Sequence, residues 1–159
     1  MKNGEFIEIE VDLPVSMDAA WQAITDLERM RQWYFPMLPD FKAEVGFSVE
    51  FNVECEGRIF LHQWEVLDLE AGRRIVYSWR YGGVPGDSKV SWELAESGEG
   101  SRLTFAHTAT KSFDTDDPLF SRESCQAGWD YFLNGQLPAF LDKNKALGQA
   151  LGFPCGVVA

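Results

Sequence analysis

The sequence lacks several features that define common protein classes. It has only 2 His and 3 Cys, and Cys55, Cys125 and Cys155 form no CxxC pair, which excludes a zinc ribbon. Its 14 basic residues against 25 acidic ones give a net charge of −11 and no basic patch for nucleic acid. Neither an apolar run of membrane-spanning length nor a signal-peptide core is visible. We therefore expect a cytoplasmic protein without a membrane span or a nucleic-acid partner.

Aromatic residues, in contrast, are abundant. The chain has 159 residues, the size of one domain, and contains 12 Phe, 6 Trp and 4 Tyr. A domain of this size needs fewer bulky side chains than this to form a minimal core. Their abundance indicates a wide interior, which is either a cavity or a solid aromatic core.

Periodicity divides the chain into three parts. Strand one is predicted at residues 5–12, and two short helices at about 17–25 and 27–33. From residue 43 to His107, runs of alternating apolar and polar residues separated by short turns predict an antiparallel meander with one solvated face.

The last part is predicted to be one long helix. Asp117 followed by Pro118 is a helix-start signal, and a broad apolar stripe continues to about Lys143. Pro138 lies inside this stripe and predicts a kink around residues 134–135. A curved sheet closing around this helix would bury both apolar faces at once.

The segment from Pro14 to Glu28 resembles the opening of the START-like (SRPBCC) superfamily, in the branch named for the activator of the heat-shock chaperone ATPase. Further matches are Arg74–Trp79, Gly100–Phe105 and the pair Gly128-Trp129. The resemblance implies an α+β helix-grip fold: a curved antiparallel sheet wrapped around a long C-terminal helix, with two short helices after strand one.

The resemblance also bears on domains and partners. It implies a single START-like domain over residues 1–143 and a tail over residues 144–159 that packs or frays. Co-chaperones of the branch carry a separate N-terminal domain, for which this chain is too short. Chaperone activation therefore does not follow from the resemblance.

Superfamily members bind lipids, hormones or polyketides in a deep apolar cavity, so we predict a ligand site on the concave face of the sheet. The predicted ligand-binding residues are His62, Trp64, Tyr77, Trp79, Tyr81, Trp92, Phe105, His107, Trp129, Phe132 and Gln136. The segment from Arg31 to Asp40 is a candidate mouth. A packed core with hydrogen-bonded histidines is the alternative interpretation of the same residues. We expect no metal site, because two histidines without a paired carboxylate are not a zinc signature.

The function that we predict is binding of a small hydrophobic or amphipathic ligand, lipid-like or polyketide-like, without a cofactor. Two alternatives stay open. One is a chaperone-associated interaction module that uses the acidic stretch from Asp40 to Glu70. The other is a cyclase- or hydrolase-type enzyme that uses His62 or His107 with Tyr77. The sequence names no catalytic residue and no substrate, so an enzyme is the less favoured interpretation.

Overall fold

The computed structural model describes residues 1–113 and 115–142. In this part of the chain, strand β1 is followed by two short helices, six further strands and a C-terminal helical region. The elements before that region are β1 (Phe6–Leu13), α1 (Met17–Thr25), α2 (Leu27–Trp33), β2 (Ser48–Cys55), β3 (Arg58–Glu70), β4 (Arg74–Ser78), β5 (Arg80–Tyr81), β6 (Asp87–Ser97) and β7 (Gly100–Lys111).

The strands form one antiparallel sheet in the order β1-β7-β6-β4-β3-β2, and β5 pairs with β3. Phe51 of β2 lies opposite His62 of β3, and Trp92 of β6 lies opposite Phe105 of β7. All four of these side chains are buried. The period of two in the sequence therefore identifies the concave face correctly.

Both short helices have the bounds expected from the sequence, and each begins at a capping side chain. The Ser16 hydroxyl accepts a hydrogen bond from the backbone N–H of Ala19 at 3.2 Å. The Asp26 carboxylate accepts from the N–H of Arg29, also at 3.2 Å. Each cap satisfies a backbone donor that the first helical turn leaves free.

The first strand of the meander predicted from residue 43 begins later than the alternation of apolar residues, which starts at Val45, indicates. Strand β2 starts at Ser48, and the Val45 side chain is 64% exposed. Gly46 has a φ of 92°, and the N–H of Phe47 bonds to the carbonyl of Glu44 at 3.0 Å. A turn therefore replaces the first residues of the expected strand.

The C-terminal helical region consists of four pieces rather than one regular helix. Asp117 caps a 3-10 turn, Pro118–Phe120, and accepts from the N–H of Leu119 at 3.0 Å. Helix α3 (Arg122–Asp130) then begins at its own cap, Ser121. A π-helical turn, Tyr131–Gln136, and helix α4 (Leu137–Leu141) follow. We call residues 122–141 the C-terminal helix.

The irregularity predicted from Pro138 is this π-helical turn. Proline has no N–H to donate to the carbonyl four residues earlier. The chain adopts the wider register just before it, and the N–H of Leu137 bonds to the carbonyl of Phe132, five residues back. Phe132, Leu133 and Leu137 all stay buried. The extra residue in the turn thus keeps the apolar side chains on the inner face.

The C-terminal helix packs against the concave face of the sheet, which completes a helix-grip fold. The ring centroids of Trp129 and Phe105 lie 4.3 Å apart at this contact. No helix among the described residues is long and apolar enough to span a membrane. The predicted tail, residues 144–159, lies outside the described residues.

Candidate functional site

The concave face of the sheet and the inner face of the C-terminal helix enclose an aromatic space, which we call the grip interior. Every predicted site residue except Gln136 lies in it and is at most 4% exposed. These residues come from β3, β6, β7, the C-terminal helix and the stretch from β4 to β5. They are His62, Trp64, Tyr77, Trp79, Tyr81, Trp92, Phe105, His107, Trp129 and Phe132.

The rings of the grip interior contact one another closely. Trp64 lies 4.9 Å from Tyr77 and 5.1 Å from Trp79, measured between centroids. Trp129 lies 5.2 Å from Trp79. These distances are typical of stacked, tilted and edge-to-face aromatic pairs. Aromatic rings therefore occupy the middle of the grip interior.

Sequence reasoning missed two residues at the centre of this space, Tyr34 and Phe35. They belong to residues 34–41, which have no regular secondary structure and overlap the candidate mouth, Arg31 to Asp40. Tyr34 is 2% exposed, and Phe35 and Leu38 are fully buried. We call residues 34–38 the inserted segment. Its run of large apolar residues was the available signal, but an aperiodic run does not show which way side chains point.

The inserted segment contacts the walls of the grip interior on several sides. The Tyr34 ring stacks on Trp64 at 5.7 Å and meets Phe132 edge-on at 4.9 Å. The Phe35 ring lies 5.2 Å from Phe132 and 5.6 Å from His62. The segment therefore fills the space between the sheet and the C-terminal helix.

The imidazole of His107 uses both of its nitrogens for contacts within the protein. The indole N–H of Trp129 donates to Nδ1 at 2.9 Å, so Nδ1 is an acceptor. The proton is therefore on Nε2, which donates to the Ser88 hydroxyl at 2.8 Å. That hydroxyl donates in turn to the carbonyl of Trp79 at 2.7 Å. His107 thus connects the helix to strand β6 and has no nitrogen left for a ligand.

His62 has the opposite arrangement. Its Nδ1 lies 3.0 Å from the carbonyl oxygen of Phe60, which can only accept, so Nδ1 carries the proton. Nε2 is then a lone-pair acceptor, and it has no hydrogen-bond partner among the described residues. The residue is fully buried. Buried polar atoms are normally paired, so an unpaired acceptor here requires an explanation.

Burial keeps both histidines neutral at pH 7. It lowers the pKa of His62 from 6.5 to about 4, which hydrogen bonding to Phe60 only partly opposes. It lowers the pKa of His107 to about 3. The charged imidazole loses its hydration inside the aromatic interior, and no buried carboxylate among the described residues compensates for that loss.

The other polar groups of the grip interior are tyrosine hydroxyls and indole N–H groups. The Tyr34 and Tyr77 hydroxyls lie 3.2 Å apart, and the indole N–H of Trp79 donates to the Tyr81 hydroxyl at 2.6 Å. Burial raises the pKa of each of these three tyrosines above 10. All three are therefore neutral hydrogen-bonding groups at pH 7.

Two buried indole N–H groups, those of Trp64 and Trp92, make no full hydrogen bond among the described residues. The Trp64 indole N–H is buried without a partner among the described residues. The Trp92 indole N–H approaches the Tyr77 hydroxyl and lowers its pKa, but without the geometry of a full hydrogen bond. We therefore count Trp64 Nε1 as the free donor of the grip interior, beside the free acceptor of His62.

Gln136 lies at the boundary of the site rather than within it. It is the last residue of the π-helical turn and is half-buried, whereas the next residue, Leu137, is fully buried. A regular helix would place it in the middle of the apolar stripe. The wider π register rotates it toward the edge.

The outer surface is acidic and partly neutralised by arginines. Arg58 bonds to Asp117, and Arg74 bonds to Asp68. Strand β2 directs Glu50 and Glu54 outward as exposed side chains. Within the described residues, no cluster of three or more His, Cys, Asp or Glu residues could hold a metal ion.

The family model described as "Activator of Hsp90 ATPase homolog 1-like protein", AHSA1, matches residues 14–142. The chain belongs to the AHSA1 family. The match spans the chain from just after β1 to the end of the C-terminal helix, so it includes the whole grip interior except β1. No curated protein sequence matches this AHSA1 chain.

Solved structures resemble this AHSA1 domain over most of its length. The Mll3558 protein from Rhizobium loti is 25% identical with a TM-score of 0.74, over 86% of this chain and 96% of its own. The Aha1 dimer from Colwellia psychrerythraea is 18% identical with a TM-score of 0.68, over 89% and 99%.

DynU16, described as a protein in the dynemicin biosynthetic locus, is 25% identical to this chain. Its TM-score is 0.68, over 88% of this chain. The match covers 48% of DynU16, so this AHSA1 domain spans about half the length of that protein.

Proposed function

We propose that this AHSA1 domain binds a small hydrophobic or amphipathic ligand in the grip interior. The observation that supports this most directly is the unpaired acceptor of His62, buried among aromatic rings. Ligand sites are mostly apolar, with a few placed polar groups that orient the ligand. The grip interior has this composition, and a ligand with a hydrogen-bond donor would supply the partner that Nε2 of His62 lacks.

Binding ranks ahead of acid–base catalysis in this proposal. A general base works best when its pKa lies near the operating pH. The pKa of His62, lowered to about 4, makes its imidazole a weak base, and the pKa of Tyr77 is raised away from 7. Both groups are better suited to hydrogen bonding a ligand than to moving protons at pH 7.

The comparisons bear on the choice between a small molecule and a protein partner. DynU16 lies in a biosynthetic locus, which agrees with a small-molecule role. The AHSA1 description instead refers to a chaperone ATPase. A protein partner is therefore the second candidate, and the outward acidic side chains of β2, Glu50 and Glu54, favour a basic one.

A ligand panel tests the proposal. Fatty acids, sterols and hydroxylated polycyclic aromatics are added to the protein while tryptophan emission and melting temperature are recorded. We expect at least one class to change both, because Trp64, Trp79, Trp92 and Trp129 line the grip interior. Burial of apolar ligand surface should also give a negative heat-capacity change in titration calorimetry.

Salt separates the two candidates. Binding of a neutral ligand in the grip interior should be the same at about 0.05 M and about 0.5 M salt, since screening acts on exposed charges. Docking of a basic protein on β2 should weaken strongly over that range. A panel that changes neither emission nor melting temperature at high micromolar concentration would reject the ligand proposal and leave protein docking ahead.

A further inference from the structure

We infer that the ligand of the grip interior is a neutral aromatic carrying a hydroxyl group, which takes the place of the Phe35 ring and donates its O–H to Nε2 of His62. This inference rests on the proposed function and narrows its ligand class. It starts from the tautomer of His62, whose Nδ1–H is committed to the carbonyl of Phe60. A ligand group that pairs with the remaining nitrogen, Nε2, must therefore be a hydrogen-bond donor.

The electrostatics of the grip interior disfavour an anionic headgroup. Among the described residues, no Lys or Arg is buried, and the buried polar side chains are His62, Ser78, Ser88, Ser101 and His107. A carboxylate brought beside Nε2 would face a lone pair and would find no buried Lys or Arg to pair with; the buried cation of the described residues is the Met1 ammonium, which donates to the carbonyl of Phe120. A fatty-acid headgroup is therefore disfavoured, whereas a phenolic hydroxyl supplies the missing donor at no cost in charge burial.

The position of Phe35 identifies the space that such a ring would use. Its centroid lies 5.6 Å from His62 and 5.7 Å from Trp64, the two rings that carry the free acceptor and the free donor. It also lies 5.3 Å from Phe51 and 6.0 Å from Trp79. A six-membered ring fits there, because Phe35 already places one there. A hydroxyl on such a ring would provide the donor for Nε2 that a phenylalanine ring lacks.

The inserted segment is the element that vacates this space, since residues 34–41 have no regular secondary structure to disrupt. Side-chain and turn hydrogen bonds hold its outer end. The Arg31 guanidinium donates to the carbonyl of Leu38 at 2.8 Å and to that of Pro39 at 3.3 Å. The backbone N–H of Leu38 bonds to the carbonyl of Phe35 at 3.2 Å. Moving the segment would break these bonds and the contact between the Tyr34 and Tyr77 hydroxyls, but no strand pairing.

The test uses Phe35→Ala, which removes the ring and leaves a phenyl-sized space. Phenol and toluene have nearly the same size and differ in the O–H group. Their dissociation constants are measured for Phe35→Ala and for the double variant Phe35→Ala with His62→Phe. We expect the phenol-to-toluene preference to fall about tenfold when His62 is replaced, because the hydrogen bond to a buried acceptor is lost. Benzoate should bind neither variant.

The control is Phe41→Ala. Phe41 is buried, and its ring contacts Trp64 and Tyr77. Replacing His62 in that background should leave the phenol-to-toluene preference unchanged. If Phe35→Ala does not fold, Phe35→Leu provides a smaller space and the same comparison.

A preference that does not depend on His62, or equal binding of benzoate and phenol, would overturn the inference. Neither result would reject the proposed function, which is tested separately with the wild-type protein and the ligand panel. If wild type binds fatty acids and hydroxylated aromatics alike, the grip interior is a ligand site but the hydroxyl-to-His62 contact does not define its ligand class.

Discussion

At the residue scale, the two histidines of the grip interior differ in their hydrogen bonding. Both ring nitrogens of His107 form hydrogen bonds, one with Trp129 and one with Ser88. His62 has one ring nitrogen without a partner among the described residues. Both are equally buried, so burial alone does not distinguish them. The distinction comes from hydrogen-bond roles: His107 holds the helix to the sheet, whereas His62 keeps an unsatisfied acceptor that stability alone would not favour.

This distinction predicts different effects of the same substitution. His62→Phe removes both an unpaired acceptor and the Nδ1–H bond to the carbonyl of Phe60. These two effects have opposite signs, so the free energy of unfolding at pH 7 should change by less than about 1 kcal/mol. His107→Phe leaves the indole N–H of Trp129 without an acceptor and should cost about 1–3 kcal/mol. Chemical denaturation measures both. A loss of equal size in the two variants would mean that Nε2 of His62 is satisfied in solution.

The lowered histidine pKa values also predict the pH dependence of stability. Both side chains have a pKa near 6.5 when unfolded and lower values when folded, about 4 for His62 and about 3 for His107. The unfolded state therefore binds more protons below pH 6.5. This contribution to stability is fully present above pH 6.5 and is lost as the pH falls, toward about 4 for His62 and about 3 for His107, with a slope that approaches about 1.4 kcal/mol per pH unit for each histidine.

Denaturation midpoints between pH 7 and 5 measure this slope, in a range where most carboxylates stay ionised. The variant His62→Phe should show about half the wild-type slope. A wild-type protein with constant stability over this range would show that the histidines are solvated or already charged in the folded state.

At the scale of secondary-structure elements, the pairing of β1 with β7 depends on a close approach at Gly100. A Cβ at this position would lie 2.2 Å from the carbonyl oxygen of Leu13. A Cβ at Gly135, in the π-helical turn, would meet nothing within 4 Å. Gly100 therefore allows the backbone of β1 to approach closely, whereas no neighbouring atom requires a glycine at position 135.

Alanine at each position tests this contrast. Gly100→Ala must push β1 away from β7 and should lower the free energy of unfolding by about 1–3 kcal/mol. Gly135→Ala meets no neighbour and should raise it by up to about 1 kcal/mol, since alanine favours a helix over glycine. Thermal or urea unfolding compares them with wild type. Equal effects of the two substitutions would contradict the described contact at Leu13.

At the scale of the whole molecule, the parts that could be predicted from sequence are those with a clear period. Alternation in β3 and β7 placed His62, Trp64, Phe105 and His107 on the concave face, because side chains of a strand alternate between its two faces. The bounds of α1 and α2 followed from the helical spacing of their apolar residues. The helix-grip arrangement followed because it buries both apolar surfaces.

The parts that could not be predicted depend on contacts between distant residues. Residues 34–41 are rich in large apolar residues but have no period, so the sequence did not show that Tyr34 and Phe35 point into the grip interior. The partner of His107 is Trp129, 22 positions away, and only the folded chain shows that it leaves no free nitrogen. Pro138 predicted an irregular helix, but the π register that moves Gln136 to the edge depends on packing of its neighbours.

The central claim is that the grip interior binds a ligand at His62, and nitrogen NMR of histidine-labelled protein tests it most directly. The two histidines provide an internal comparison, because His107 has no free nitrogen. On addition of 2-naphthol, a neutral hydroxylated aromatic, the Nε2 resonance of His62 should shift as its lone pair gains a donor, while the ring resonances of His107 stay in place. Unchanged resonances of both histidines at millimolar 2-naphthol would contradict the claim.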